Sequence, residues 1–157
     1  MKILTRWAVM AGACLLAASA VAQPMTVADV KYEETASVGG STLQLNGAGV
    51  RYKAVFKVYT AGLYLEKKAG TPADVMALKG PKRMSITMLR EIDSTELGKL
   101  FSRSMEDNMD RAAFSKLIPG VLRMSQIFSD HKKLVAGDQF QIDWIPGTGT
   151  IITVKGK

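Results

Sequence analysis

Arg51, Lys53, Lys57 and Tyr59 fall on one face of an alternating segment, with Val50, Tyr52, Ala54, Phe56 and Val58 on the other. Side chains two apart share a face of a strand, so three cations and a phenol would project together. Such a face attracts anions, and Tyr59 could add a hydroxyl donor. On the residues alone two readings of Arg51 stay open: a cation facing an anionic group in a cleft, or a strand-end arginine paired with a carboxylate. Tyr59 has a similar choice between offering its hydroxyl and packing its ring. Further along, Asn108 follows Phe101 by seven residues, on the same helical face and about 10 Å away along the axis. A polar residue there either lends an amide to a cleft or ends the helix.

Other chemistry is thinly supplied. The chain has one cysteine, Cys14, and one histidine, His131. Cys14 lies in a segment expected to be removed, which leaves no disulfide, thiol nucleophile or cysteine metal site. A catalytic triad or imidazole metal site would rest on His131 alone, within Ser129-Asp130-His131-Lys132-Lys133, where a surface loop is expected. Glu106, Asp107 and Asp110 are close in sequence but do not share one helical face. No metal and no cofactor is expected.

Residues 1–22 read as a secretory signal peptide. Lys2 and Arg6 form its positive start, and Trp7–Leu16 is an apolar core of about ten residues, too short to span a bilayer. Ala20-Val21-Ala22 fits the small-residue cleavage pattern. An uncleaved anchor and a lipoprotein acylated at Cys14 fit less well: the core is short, and Cys14 lacks the usual leucine before it. Cleavage after Ala22 would leave one domain over 23–157, periplasmic or secreted, long enough to bury a core. The formal net charge of +7 loses two units with Lys2 and Arg6. The remaining charges are dispersed, which reads as a solvated basic surface and not a nucleic-acid interface. No later run is long enough for a transmembrane helix, so no stable membrane insertion is expected after cleavage.

The positioning elements follow from pattern and punctuation. Val30–Val38 is a weak strand, Gly39-Gly40-Ser41 a turn, Thr42–Leu45 a short strand and Asn46-Gly47-Ala48-Gly49 a tight connection. Val50–Thr60 alternates as one strand; the phase then changes, and Gly62 is the expected bulge or bend. Thr71-Pro72 opens a short helix and Gly80-Pro81 ends it. Arg83–Leu89 alternates, with Met84, Ile86 and Met88 on one face. Asp93-Ser94-Thr95-Glu96 has capping-box spacing and starts a helix with Leu97, Leu100, Phe101, Met105 and Met109 at helical intervals. Arg111–Phe128 is helical, with Pro119 expected to split it in two. Phe140, Ile142 and Trp144 alternate, Pro146-Gly147-Thr148-Gly149 is a hairpin turn, and Thr150–Lys155 returns. Strands flanking a block of helices predict an α+β domain, a largely antiparallel sheet covered on one face by helices.

Several segments, in order, resemble the signature of the chalcone isomerase-like family, in particular its bacterial exported branch. They are Asn46–Arg51, Phe56-Lys57-Val58-Tyr59, Ala61-Gly62-Leu63-Tyr64-Leu65, Pro81–Leu89, the helix from Asp93, and Ile145–Thr150. The resemblance implies an open-faced β-sandwich with a ligand cleft between sheet and helices. It also implies further C-terminal elements that are missing after Lys157. In the plant enzymes of the family a phenolate adds across an enone, with no cofactor. An arginine attracts the phenolate, a threonine and a tyrosine organise oxygens, and an asparagine lines the cleft. Carried over, Arg51 stands at the arginine, Tyr59 at the threonine with Thr60 beside it, Phe101 at the tyrosine and Asn108 at the asparagine. Arg51, Tyr59 and Asn108 are then the catalytic candidates. Arg51, Tyr59, Thr60, Phe101, Met105 and Asn108 are the ligand-binding ones. Phe101 lacks the hydroxyl that the tyrosine supplies. The resemblance therefore implies a binder of a small apolar or anionic molecule, fatty-acid-like or phenolic. An active isomerase is the first alternative, and a structural or partner-binding protein the second.

Overall fold

The computed structural model describes residues 24–157, so the signal-peptide reading of 1–22 lies outside the described residues. Period-two patterning yields six antiparallel strands: β3 (Thr35–Val38), β4 (Ser41–Lys53), β5 (Phe56–Leu65), β6 (Lys82–Met88), β9 (Gln139–Ile145) and β10 (Gly149–Val154). They lie in the order β10-β9-β6-β5-β4-β3. A separate hairpin, β1 (Met25–Val27) with β2 (Val30–Tyr32), precedes them. A short helix, α1 (Pro72–Ala77), links β5 to β6. The long excursion between β6 and β9 carries β7 (Ile92–Asp93), α2 (Ser94–Asp107), α3 (Arg111–Ser129) and β8 (Lys133–Leu134). β7 pairs with β8, which ties the two ends of that excursion together. The fold is α+β, as the order of elements predicts.

Local chemistry sets the helix starts. Thr71 accepts from Asp74 N–H at 3.1 Å, with Pro72 in the first turn of α1. Asp93 caps α2 by accepting from Glu96 N–H at 2.9 Å, and Asp110 caps α3 by accepting from Ala113 N–H at 2.8 Å. Each cap satisfies an amide that has no partner inside the helix.

The sheet buries different things on its two faces. Ile86, Met88, Phe140 and Val154 meet Leu97 of α2 and Met124 and Phe128 of α3. Phe128 is fully buried and joins the layers, 6.4 Å from the ring of Phe101 and 5.3 Å from that of Phe140. Tyr32, Val38, Leu43, Leu45 and Tyr64 form a second cluster under the β1–β2 hairpin. This side also contains polar groups. Tyr32 donates to Thr60 at 2.7 Å, and Arg83 holds Asp143 through two hydrogen bonds of 2.6 Å across β6 and β9. Desolvation raises the pKa of the Tyr32 and Tyr64 phenols above the ordinary tyrosine value, so both stay protonated. For Tyr32, hydrogen bonds to Thr60 and Thr87 oppose that rise.

Five expectations are corrected. First, Val30–Val38 is two strands, broken at Glu33-Glu34. Second, Asn46–Gly49 is no turn. β4 runs straight through it, because the apolar strand β5 supplies a partner for nearly every residue there. Asn46 alone is skipped in the register, and its amide instead clamps the β5–α1 loop, donating to the Ala69 carbonyl at 3.1 Å and accepting from Ala69 N–H at 2.8 Å. Third, the turn falls inside Val50–Thr60, at Ala54-Val55, where Ala54 adopts a positive φ of 51° without being glycine. Fourth, Gly62 carries no bulge. It is bare because a Cβ would stand 2.6 Å from the Tyr32 ring. Fifth, α3 is continuous through Pro119. Residues 115–120 are all exposed, so water can take the carbonyl bond that proline leaves unmade.

The β1–β2 turn offers a test of local strain. Ala28 and Asp29 both have positive φ, 47° and 65°. A two-residue turn of that shape prefers Asn-Gly. Ala28→Asn with Asp29→Gly is expected to stabilise the protein by about 1 kcal/mol and raise its Tm by about 4 °C, read by thermal unfolding.

Candidate functional site

The outer end of the β4–β5 hairpin stands over α2 and leaves a cleft of about 1310 Å³ between them, closed at one side by the β6–β7 link. Its floor is the apolar stripe of α2, in which Leu97, Phe101 and Met105 recur at four-residue intervals. Its opposite wall comes from the hairpin, and two irregularities decide which residues face inward. The turn pairs Lys53 with Phe56, and a bulge at Val58 then brings Arg51 opposite Tyr59. Paired residues share a face. Arg51, Lys53, Phe56 and Tyr59 therefore line the cleft, while Tyr52 and Lys57, paired with each other, do not. The simple alternation that put Lys57 beside Arg51 fails because the two-residue turn shifts the phase by one residue; the bulge at Val58 shifts it back, so Tyr59 returns to the face of Arg51 and Lys57 does not.

The remaining candidates divide. Phe101, Met105 and Asn108 all line the cleft, so five of the six predicted ligand contacts converge: these three with Arg51 and Tyr59. Thr60 is the exception. It is fully buried on the other sheet face, accepting the Tyr32 hydroxyl, because it is one residue out of phase with Tyr59. Asn108 is also the C-cap of α2, and its side-chain amide donates to the Ser104 carbonyl at 2.8 Å. Asn108 thus ends the helix at the cleft rim, with its amide N–H turned to its own helix. Arg90, which the sequence reading passed over, lines the cleft and rests its guanidinium 4.9 Å from the centroid of Phe56. No pattern marks it. It arrives because Leu89 N–H bonds the Val58 carbonyl at 2.9 Å, which draws the end of β6 to the hairpin.

The charges in the cleft are unequally committed. Glu91 pairs with Lys133 at 2.9 Å, and Asp93 is occupied by the α2 amide. Among the described residues, no carboxylate pairs with Arg51 or Lys53. Arg51, Lys53 and Arg90 thus line the cleft without a carboxylate partner among the described residues, as Glu96 does without a cationic one, and Arg51 stands cross-strand from Tyr59 beside an apolar floor. The arrangement suits an anionic head with an apolar body: charge and hydroxyl at one end, Phe101 and Met105 along the rest. Phe101 brings a ring and no hydroxyl to the cleft. Among the described residues, no three His, Cys, Asp or Glu side chains gather to hold a metal ion. No described helix is long and apolar enough to cross a membrane.

A family model described as chalcone isomerase-like matches residues 24–157. The chain belongs to the chalcone isomerase-like family. No curated protein matches it in sequence. Among solved structures, an Arabidopsis thaliana protein described as a fatty-acid binding protein shares the fold. Its TM-score is 0.68 at 16% identity, over 86% of this chain and 79% of that one. At that identity the likeness establishes the fold of this family member and not its ligand.

Proposed function

We propose that this chalcone isomerase-like protein is exported and binds a single-chain anionic amphiphile, a fatty acid or a close analogue, in the cleft between the β4–β5 hairpin and α2. The observation that carries the reading is Arg51, free of any carboxylate partner among the described residues and set opposite Tyr59 above an apolar floor. The carboxylate sits at Arg51 and the tail lies over Leu97, Phe101 and Met105. The cleft exceeds the roughly 300–1,000 Å³ of common small-molecule sites, so a long tail has room. The fatty-acid binding relative in fold supports the same ligand class. Export rests on the pattern of residues 1–22.

Titration with a fluorescent fatty acid tests the proposal. Arg51→Ala is expected to weaken binding about 10- to 100-fold, the range for losing a charge-assisted hydrogen bond. Wild-type affinity should rise about fourfold per added methylene until the tail outgrows the cleft. Affinity indifferent to both Arg51 and tail length would refute the reading. A second reading, ring closure of a chalcone, has one observation in its favour: Arg51 and Tyr59 face each other across two strands, a cation beside a hydroxyl. Incubation with 2′-hydroxychalcone decides it. Cyclisation above background that Arg51→Ala abolishes would establish the enzyme.

A further inference from the structure

Residues 51–57 are all exposed, and three of them are large and apolar or aromatic. Val55 is 82% exposed, Phe56 57% and Tyr52 48%. Three cations interleave with them, Arg51, Lys53 and Lys57, and Ser41–Leu65 contains no aspartate or glutamate. A fold that buries Phe128 and Leu43 completely leaves Val55, the most exposed valine among the described residues, at the tip of the β4–β5 hairpin, flanked in sequence by Arg51, Lys53 and Lys57. Aromatic and aliphatic side chains mixed with Lys and Arg are the composition that settles at the boundary between phospholipid head groups and acyl chains. Charge complementarity therefore selects the occupant: a bilayer surface carrying anionic lipid, and not an uncharged one.

We infer that the β4–β5 tip docks on an anionic phospholipid surface, with Val55 and Phe56 entering the head-group region and Lys57 and Lys53 meeting phosphates. The same tip forms one wall of the cleft, since Phe56 and Lys53 line it. A docked protein thus holds the cleft mouth against the layer in which amphiphiles reside. The inference goes beyond the ligand reading and is tested apart from it, because Val55 and Lys57, unlike Phe56 and Lys53, lie outside the cleft lining.

The test uses the full chain carrying Cys14→Ser and Val55→Cys, with an environment-sensitive fluorophore on the introduced thiol. The signal comes from the tip itself, so association through any other segment, residues 1–23 included, does not register. A blue shift with phosphatidylglycerol-containing vesicles, absent with pure phosphatidylcholine and reversed by salt, is expected. Adding Lys57→Glu should weaken the apparent vesicle affinity about tenfold or more while fatty-acid titration in solution stays unchanged. No shift with anionic vesicles, or an equal shift with phosphatidylcholine, would overturn the proposal. So would a shift that grows with protein concentration in the absence of vesicles, which would mark a second copy as the occupant. If the tip responds but fatty-acid affinity ignores Arg51, docking survives and the ligand reading fails.

Discussion

Asp143→Leu is expected to destabilise the protein by about 3–5 kcal/mol and lower its urea midpoint by about 2 M. Asp143 is 8% exposed and accepts two hydrogen bonds of 2.6 Å from Arg83. Those hydrogen bonds raise the affinity of the Arg83 guanidinium for its proton, against the burial that opposes it. The arginine therefore cannot escape its charge by losing a proton when its partner is removed. It must reach solvent or remain buried unpaired, and either outcome disrupts β6 and β9. Arg83→Leu with Asp143→Leu should recover most of the loss, since no lone charge then remains. A double variant as unstable as the single would show that the pair itself, and not the stranded cation, is what matters. The pair also fixes register. A slip of one residue between β6 and β9 would turn Arg83 or Asp143 toward the face of Met84, Ile86 and Phe140.

Phe128→Ala is the second substitution expected to act strongly, at about 3–5 kcal/mol of stability. Its ring is fully buried between Phe101 of α2 and Phe140 of β9. Its Cβ also lies 3.6 Å from where Gly98 would place a side chain, so α2 approaches α3 closely at this level. Removing the ring leaves a cavity directly behind the cleft floor, and Phe101 can relax into it. Fatty-acid affinity should fall as well, because the floor loses its backing. Phe128→Leu, which refills most of the volume, should restore much of both. Loss of stability with unchanged ligand affinity would separate the core from the cleft and overturn this coupling.

What was legible in the sequence was what short-range chemistry decides. The caps at Thr71 and Asp93, the turn after Ile145 and the inward face of Met84, Ile86 and Met88 depend on neighbours a few residues away, and they were placed as expected. Arg51, Tyr59, Phe101, Met105 and Asn108 all line the cleft: resemblance pointed to the two on the strands, and helical spacing keeps the other three on one side of α2. What escaped notice depended on distant partners. Asn46–Gly49 has the composition of a turn but is held extended by β5. The real turn at Ala54-Val55 contains no glycine, so the alternation seemed to run through it. Pro119 stays inside α3 because the helix is anchored on its far side by Met124 and Phe128. Thr60 was paired with Tyr59 by adjacency, yet adjacency in a strand means opposite faces.

The point where β6 stops has a mechanical consequence. The last β5–β6 pair is Tyr59 with Met88, so beyond it the hairpin is only two strands wide. The wall of the cleft is therefore a cantilever, clamped in a six-stranded sheet at one end and braced near its root by Leu89 N–H on the Val58 carbonyl. A two-stranded ribbon is only marginally stable on its own and lacks the lateral support of a wider sheet. Bending this one moves Phe56 and Lys53 farther than Arg51 and Tyr59, which sit closer to the clamp. The end of the cleft at Arg51 and Tyr59 is thus the stiff end, and the end at Phe56 and Lys53 is the one with give.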